Sequence, residues 1–251
     1  MAAKAPTTVK SVTRVFDLLE LIADAGGYLT ISQISALAEL PLTTTHRLLQ
    51  TLIECGYLRQ LSDRSYALGP RLVRLGEIAN RQFGAIAMPQ LKALVTSLGE
   101  TANLAVLDDD RVVYLSQAPS PHAMRMFTEV GGRAHLHSTG VGKAILAQLT
   151  DAQVRTIAAR TGLPGSTPHS IGSIDALLAD LTLTRERGYA LDDGEHEIGV
   201  RCYATIVPGM PALTALSVSV PMSRADDGFA DRAVPVMQGI AAEISATANA
   251  V

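Results

Sequence analysis

The positions of glycine and proline constrain the fold of this chain most, because they divide its first 69 residues into short amphipathic segments. Apolar residues recur at helical spacing over residues 9–25, and Gly26-Gly27 ends this pattern. A second helical pattern, over residues 31–40, follows the N-capping residue Thr30 and stops before Pro41. The spacing therefore predicts two short helices and then a turn.

The next segments predict a third helix and a β-hairpin. Residues 43–55 carry a buried stripe of leucine and isoleucine, and two short strand-like segments, 57–59 and 65–68, flank the turn-forming residues 62–64. Helix, helix, turn, helix and hairpin is the order of a winged helix-turn-helix. We therefore predict a DNA-binding domain over residues 1–69.

The third predicted helix carries short polar side chains opposite its apolar stripe. Such side chains can enter the major groove, and hydroxyls and free N–H groups at a helix start can meet phosphates. We expect Arg47 to contact guanine, Gln50 to contact adenine, and the hairpin arginines to grip the backbone or the minor groove of double-stranded operator DNA. The predicted DNA-contacting residues are Thr43, Thr44, Thr45, His46, Arg47, Gln50, Arg59 and Arg64. A helical subdomain whose polar face is solvated, or contacts another protein, is the alternative.

Charge and cysteine content bear on the partners and the compartment. Residues 1–85 carry nine Lys and Arg against seven Asp and Glu, a net +2, whereas the whole chain has a net charge of −3. A mildly basic N-terminal segment joined to an acidic remainder is typical of a protein that contacts DNA phosphates through the N-terminal segment alone. The two cysteines lie far apart, the start lacks a signal-peptide pattern, and no apolar run approaches the ~18 residues of a membrane span. The sequence predicts a cytoplasmic protein without membrane contact.

The rest of the chain alternates differently. An amphipathic pattern from Arg71 to about Phe83 predicts a linker helix, assigned to residues 70–85. Over residues 86–251 strands interleave with helices, and several neighbouring strands form hairpin-like pairs, which predicts an α+β domain with one sheet. Residues 124–127 are predicted to be one of its strands.

A glycine-containing loop, His137 to Ala144, leads into a predicted helix. Its backbone N–H groups and the helix dipole favour an anion. A nucleotide-binding P-loop does not fit, because His137 replaces the first required glycine and Ala144 replaces the Ser or Thr that would hold magnesium.

Two further polar segments complete the candidate site. The segment 192–197 could hold a metal together with His135 and His137, but its spacing matches no metal signature, so a solvated acidic loop is favoured and no metal or cofactor is predicted. Strand alternation puts Ser217 and Ser219 on one face, which is either an exposed sheet face or part of a pocket. We predict a pocket in which the loop amides bind a carboxylate and Asp192 binds a hydroxyl or hydrated carbonyl. Cys202 and the two serines supply the remaining polar groups, and Met126 and Val200 the apolar wall.

The N-terminal head and two long motifs resemble the IclR family of bacterial transcription regulators. The motifs are HSTGVGKAILA over residues 137–147 and DDGEHEIGVRCYA over residues 192–204. The resemblance implies a GAF-like α/β effector-binding domain, dimers that pair into tetramers, and regulation of nearby catabolic operons.

The same resemblance implies a set of ligand contacts. Members that sense glyoxylate and pyruvate hold the ligand through the backbone amides of a Gly-Ala pair, an Asp, a Cys and two Ser, and the matching positions are Gly140, Val141, Asp192, Cys202, Ser217 and Ser219. Val141 departs from the small residue of those members and implies a narrower pocket there. Ala134 stands where they carry Leu, which implies a wider side that admits a larger acid.

Two classes of function remain open from the sequence. The leading one is a repressor of the IclR type whose operator binding responds to a glyoxylate- or pyruvate-like acid, and which acts as a homodimer or homotetramer. The alternative is a hydrolase or metal-dependent enzyme with an accessory interaction domain, which would need turnover that depends on Cys202 or on His135, His137 and His196.

Overall fold

The computed structural model describes residues 9–83 and 87–248, and the chain divides into two compact units, residues 1–79 and 80–251. The helices are α1 (Lys10–Asp24), α2 (Ile31–Leu37), α3 (Leu42–Glu54), α4 (Arg71–Phe83), α5 (Met88–Leu98), α6 (Gly140–Leu146), α7 (Asp151–Thr161), α8 (Ile174–Arg187) and α9 (Phe229–Ala248). The strands are β1 (Tyr28–Leu29), β2 (Leu58–Gln60), β3 (Tyr66–Leu68), β4 (Thr101–Asp108), β5 (Arg111–Ala118), β6 (Arg133–His135), β7 (Ala190–Asp193), β8 (Val200–Val207) and β9 (Thr214–Pro221).

The first unit packs α1, α2 and α3 against a three-stranded sheet of order β1-β3-β2. Thr30 and Gln33 form the capping box that starts α2. The apolar stripes of the three helices share one hydrophobic core with β2 and β3. The fully or nearly fully buried residues of this core include Leu18, Ile22, Ile34, Leu49, Leu52 and Leu58. The predicted helix-turn-helix and hairpin are confirmed. The sequence missed β1, because two residues are too few to show an alternation.

The second unit is built on one antiparallel sheet of order β6-β5-β4-β9-β8-β7. One face is covered by α5 and α9, and the other by α6, α7 and α8. All eight residues of β9 are buried, because this strand lies in the middle of the sheet between two helical layers. This confirms the predicted α+β class with a single sheet.

Two predicted elements of the second unit differ from the structure. Residues 124–127 are not a strand, and β6 takes the sheet edge instead. The reason is a turn in which Gly131 N–H donates to the Tyr114 carbonyl and Tyr114 N–H donates to the Gly132 carbonyl, so that the residues after the turn pair with β5. Helix α6 begins at Gly140 rather than Lys143, because the Thr139 hydroxyl caps it by accepting from Gly142 N–H at 3.1 Å.

The boundary between the two units falls within α4, the predicted linker helix. The domain limits 1–69, 70–85 and 86–251 stay predictions. Residues 1–8, 84–86 and 249–251, which those limits include, lie outside the described residues. No helix among the described residues is long and apolar enough to cross a membrane.

Candidate functional site

A cavity of about 250 Å³ lies in the second unit, on the α6 side of the sheet. Six of the eight predicted effector-contacting residues line it: Met126, Gly140, Asp192, Val200, Cys202 and Ser219. Strand register explains the convergence, because Cys202 of β8 pairs with both Asp192 of β7 and Ser219 of β9. Val141 and Ser217 do not line the cavity. The other lining residues are Tyr114, Phe127, Thr128, Glu129, Gly132, Arg133, Ala134, Thr139, His196 and Glu197.

The floor of the cavity is a small network of neutral polar groups. The Cys202 thiol lies 3.4 Å from the Ser219 hydroxyl, and the Asn103 side-chain amide donates to Ser219 at 3.3 Å and to Ser217 at 3.5 Å. Ser217 therefore does not contact the cavity itself. It shares the Asn103 amide as a hydrogen-bond donor with Ser219, which does line the cavity. Sequence reasoning missed Asn103, whose only signal was an amide within an otherwise apolar strand. Gln117 fixes this amide by donating to its oxygen at 3.1 Å.

The start of α6 presents backbone rather than side chains to the cavity. A Cβ on Gly140 would lie 3.2 Å from both the sulfur and the carbonyl oxygen of Cys202, so glycine lets the helix start lie directly on β8. The side chain of Val141 is fully buried in the core below α6. Within the described residues, the N–H groups of Gly140 and Val141 have no hydrogen-bond acceptor, since the Thr139 hydroxyl is used by Gly142.

Asp192 is the buried acid of the cavity. Its Oδ1 accepts from the backbone N–H groups of Glu195 at 2.7 Å and His196 at 3.3 Å. Burial raises the pKa of the Asp192 carboxyl to about 6, and the two N–H donors oppose that rise in part. The carboxyl therefore holds the 192–197 loop in place and also faces the cavity.

Lys143 lies behind the cavity and is fully buried. Its ammonium pairs with Glu195 and, at 3.1 Å, with Asp180 of α8. Burial raises the pKa of Glu195, while the lysine charge opposes that rise. The sequence analysis placed Lys143 within the glycine-containing loop and its motif without assigning it a role, and missed that it is the cation that joins α6, α8 and the loop carrying Asp192.

Tyr114 adds an aromatic wall and a hydroxyl that sequence reasoning also missed. Burial, together with the nearby Cys202 and Asp192, raises the pKa of the Tyr114 phenol far above its usual value, so the hydroxyl stays neutral. Val112 of the same strand pairs with Ala134 of β6, which places Tyr114 near the narrow edge strand. The antiparallel register between β5 and β6, which are separated by residues 119–132, brings these residues together.

The groups required by the enzyme alternative do not form a catalytic arrangement. Burial raises the pKa of the Cys202 thiol to about 11, whereas a nucleophilic cysteine needs a lowered pKa. His137 does not line the cavity, and its Nε2 bonds to the Pro164 carbonyl oxygen at 3.1 Å. Among the described residues there is no group of three or more His, Cys, Asp or Glu side chains placed to hold a metal ion.

The predicted DNA-contacting face lies on α3 and the β2–β3 hairpin of the first unit. Thr43, His46, Arg47, Arg59 and Arg64 are exposed, and Thr44 and Gln50 are partly exposed. The hairpin tip is shaped by Asp63, which accepts from the N–H of Ser65 at 2.9 Å and from its hydroxyl at 2.6 Å.

Thr45 corrects the predicted DNA-contacting set. Its side chain is fully buried, and its hydroxyl donates to the Pro41 carbonyl at 3.2 Å. The residue faces the core because it lies four positions before Leu49, on the same side of α3. It therefore stabilises the helix start and cannot contact a duplex.

Comparison with known proteins gives matches over both units. The family model described as the IclR helix-turn-helix domain matches residues 11–62, and the model described as the bacterial transcriptional regulator IclR C-terminal domain matches residues 77–246. The transcriptional repressor IclR of Escherichia coli K12 is 39% identical over 234 residues, which cover 90% of this chain and 85% of that protein.

Two solved structures are similar along nearly the whole chain. An IclR transcriptional regulator from Alicyclobacillus acidocaldarius is 29% identical with a TM-score of 0.85, covering 96% of this chain and 99% of that one. An IclR homologue from Microbacterium hydrocarbonoxydans in complex with 4-hydroxybenzoate is 25% identical with a TM-score of 0.80, covering 96% of this chain and 100% of that one.

Proposed function

Because this chain belongs to the IclR family of bacterial transcriptional regulators, we propose that it is a repressor whose operator binding is modulated by a small carboxylate metabolite, such as a glyoxylate- or pyruvate-like acid. The observation that carries this proposal is the convergence of six predicted effector contacts on one cavity. The relatives and family models are those of regulators, not enzymes, so the enzyme alternative is abandoned.

The cavity offers complementary groups for an α-keto or α-hydroxy acid. The carboxylate of the ligand accepts from the N–H group of Gly140, which lines the cavity, and from the next N–H group of the same helix turn, that of Val141, whose side chain lies in the core; both N–H groups lack an acceptor among the described residues. Asp192 accepts from a hydroxyl or hydrated carbonyl, and Ser219 and Cys202 bond to the remaining oxygens. Met126 and Val200 exclude water from one side.

Signal transfer from this cavity to DNA is proposed to use α4. This helix begins in the first unit and ends in the second, because the division between units falls at residue 79. An effector changes operator affinity only if it binds the DNA-competent and incompetent arrangements with different affinity.

We propose that the regulator acts as a homodimer or homotetramer. Val12 and Phe16 are exposed one turn apart on α1, after the exposed N-cap residue Val9, and Leu75 and Ile78 are exposed one turn apart on α4. Exposed apolar side chains in such a row favour burial against another chain. The helix-turn-helix of a second copy would supply the second half-site contact.

For DNA binding, we expect Arg47→Ala to weaken operator affinity by about 1–3 kcal/mol and to relax base preference at one position. Arg64→Ala should weaken binding to all duplexes about equally and reduce the salt slope by about one, as a phosphate contact does. Gel shifts across a salt series on the region upstream of the gene measure both. Arg155→Ala, on exposed α7 of the second unit, is the matched control. Equal losses in all three variants would contradict the assignment.

For the cavity floor, we expect the double change Ser217→Ala and Ser219→Ala to abolish the effector response while leaving ligand-free DNA affinity unchanged. Ser219→Ala alone should account for most of the loss, because Ser219 lines the cavity and Ser217 lies behind it. Release of operator DNA by a titrated acid gives the measurement. A larger loss in Ser217→Ala than in Ser219→Ala would show that the floor is arranged differently.

A further inference from the structure

Resting on the proposed function, we infer that the effector of this chain is a monocarboxylic acid larger than glyoxylate or pyruvate, with a ring or branched apolar body that lies against Tyr114 and Ala134. The polar floor of the cavity fixes the position of the ligand's acid group, and the side formed by Tyr114 and Ala134 determines the size of the apolar group that the ligand can carry.

The size of the cavity supports a larger ligand. About 250 Å³ holds roughly eight water molecules at ~30 Å³ each. Glyoxylate has no carbon beyond its carboxylate and carbonyl, so it would leave much of this space to water. A ring attached to the same acid group fills the remainder.

The lining is divided between a polar side and an apolar side. Asp192, Cys202 and Ser219 come from neighbouring strands β7, β8 and β9, whereas Tyr114 and Ala134 come from β5 and β6 at the other edge of the sheet. Met126 and Phe127, from the segment before β6, add apolar surface on that side, and Thr128, Glu129 and Arg133 line its rim. Val200 belongs to β8, the strand that carries Cys202. A ligand that contacts both sides needs a polar end and an apolar end.

Ala134 controls the space at the apolar side. It is 8% exposed, its strand β6 is at the edge of the sheet, and it pairs with Val112. A leucine there would add three carbon atoms to the cavity lining. The small side chain therefore leaves room beside Tyr114 that a larger residue would fill.

The charges at the rim favour a neutral body. Glu129 and Glu197 line the cavity and are exposed, whereas the guanidinium of Arg133 is already paired with Asp108 at 2.8 Å. A second carboxylate at the far end of the ligand would meet these two glutamates without an uncommitted cation among the lining residues. The rim therefore disfavours diacids.

Phenylglyoxylate tests the inference directly, because it keeps the carboxylate and carbonyl of glyoxylate and adds only a phenyl ring. Each buried methylene-sized group is worth about a fourfold gain in affinity. We expect phenylglyoxylate to bind the full-length protein at least roughly tenfold tighter than glyoxylate or pyruvate by titration calorimetry. The analogue with a second carboxylate on the ring should bind roughly tenfold more weakly than phenylglyoxylate.

Ala134→Leu should reduce phenylglyoxylate affinity to that of pyruvate while changing pyruvate affinity by less than about twofold. Ala134→Val is the second variant, smaller and compatible with an edge strand, in case the leucine unfolds the unit. A melting curve of each variant without ligand separates these cases.

Three outcomes decide between the hypotheses. The inference is supported if the unaltered protein binds phenylglyoxylate more tightly than glyoxylate and pyruvate, and if this difference in affinity disappears in the Ala134 variants. Glyoxylate or pyruvate binding as tightly as phenylglyoxylate, with binding lost in Asp192→Ala, overturns the inference and leaves the proposed function intact. Failure of every acid to bind the unaltered protein overturns both.

Discussion

Lys143→Met is expected to lower the free energy of unfolding of the second unit by about 3–5 kcal/mol, since removing one partner of a buried ion pair leaves uncompensated charge. The lysine is fully buried and pairs with both Glu195 and Asp180. Methionine keeps the apolar length of the side chain, so the loss measures charge rather than packing. Urea unfolding followed by circular dichroism suits this chain, which has no Trp.

Two further variants make this prediction specific. Lys92→Met, on the exposed side of α5, should change stability by less than about 0.5 kcal/mol. Adding Glu195→Gln to Lys143→Met should recover part of the lost free energy of unfolding, because it removes one of the two carboxylates that Lys143→Met leaves without a cation. Equal losses in Lys92→Met and Lys143→Met would mean that the buried charge contributes nothing.

The pH dependence of this loss has a definite sign. Without the lysine, the pKa of the Glu195 carboxyl rises further, because burial already raises it and the lysine charge opposes that rise. A group with a raised pKa in the folded state contributes stability at low pH that is lost as pH rises through that pKa. The deficit of Lys143→Met should therefore be smaller under acidic conditions than at neutral pH.

Local signals were enough to predict the three helices and the β-hairpin of the first unit, but not the two-residue strand β1. Gly26-Gly27, Thr30 and Pro41 act within one turn of the chain, so their effects are visible in the sequence. Thr45 was assigned to the wrong surface because its residue type suits a DNA contact, whereas its position in the helical period places it beside the core. Periodicity was the better guide than residue type there.

Four of the six predicted residues that line the cavity belong to the two long motifs, whereas Ser219 was predicted from strand alternation and Met126 as apolar wall. Asp192 and Cys202 lie in one such segment and Gly140 in the other, and all three line the cavity. Asn103 and Tyr114 lie in strands without a motif, and they reach the site only through pairing over long sequence separation, such as Asn103 with Ser217. Such pairings depend on sheet register, and β9, whose eight residues are all buried, shows no alternation of buried and exposed residues from which its register could be predicted.

Loss of the Asp192 carboxylate is expected to have the largest effect on effector binding. Asp192→Ala should lower the affinity for the effector by roughly a hundredfold, because it removes a buried, charge-assisted hydrogen bond to the ligand hydroxyl or hydrated carbonyl. Operator affinity without ligand should stay unchanged, since Asp192 belongs to the second unit and the predicted DNA-contacting residues to the first.

Asp192→Asn separates ligand contact from loop support. Asparagine keeps an oxygen that accepts from the N–H groups of Glu195 and His196, so the loop should keep its conformation, while the negative charge is lost. We expect near-normal thermal stability in Asp192→Asn, a lower melting temperature in Asp192→Ala, and a weakened effector response in both. Calorimetric titration and operator release measured on the same samples provide the comparison. If Asp192→Asn responds to the acid as the unaltered protein does, Asp192 acts only by supporting the loop, and its proposed contact with the ligand is wrong.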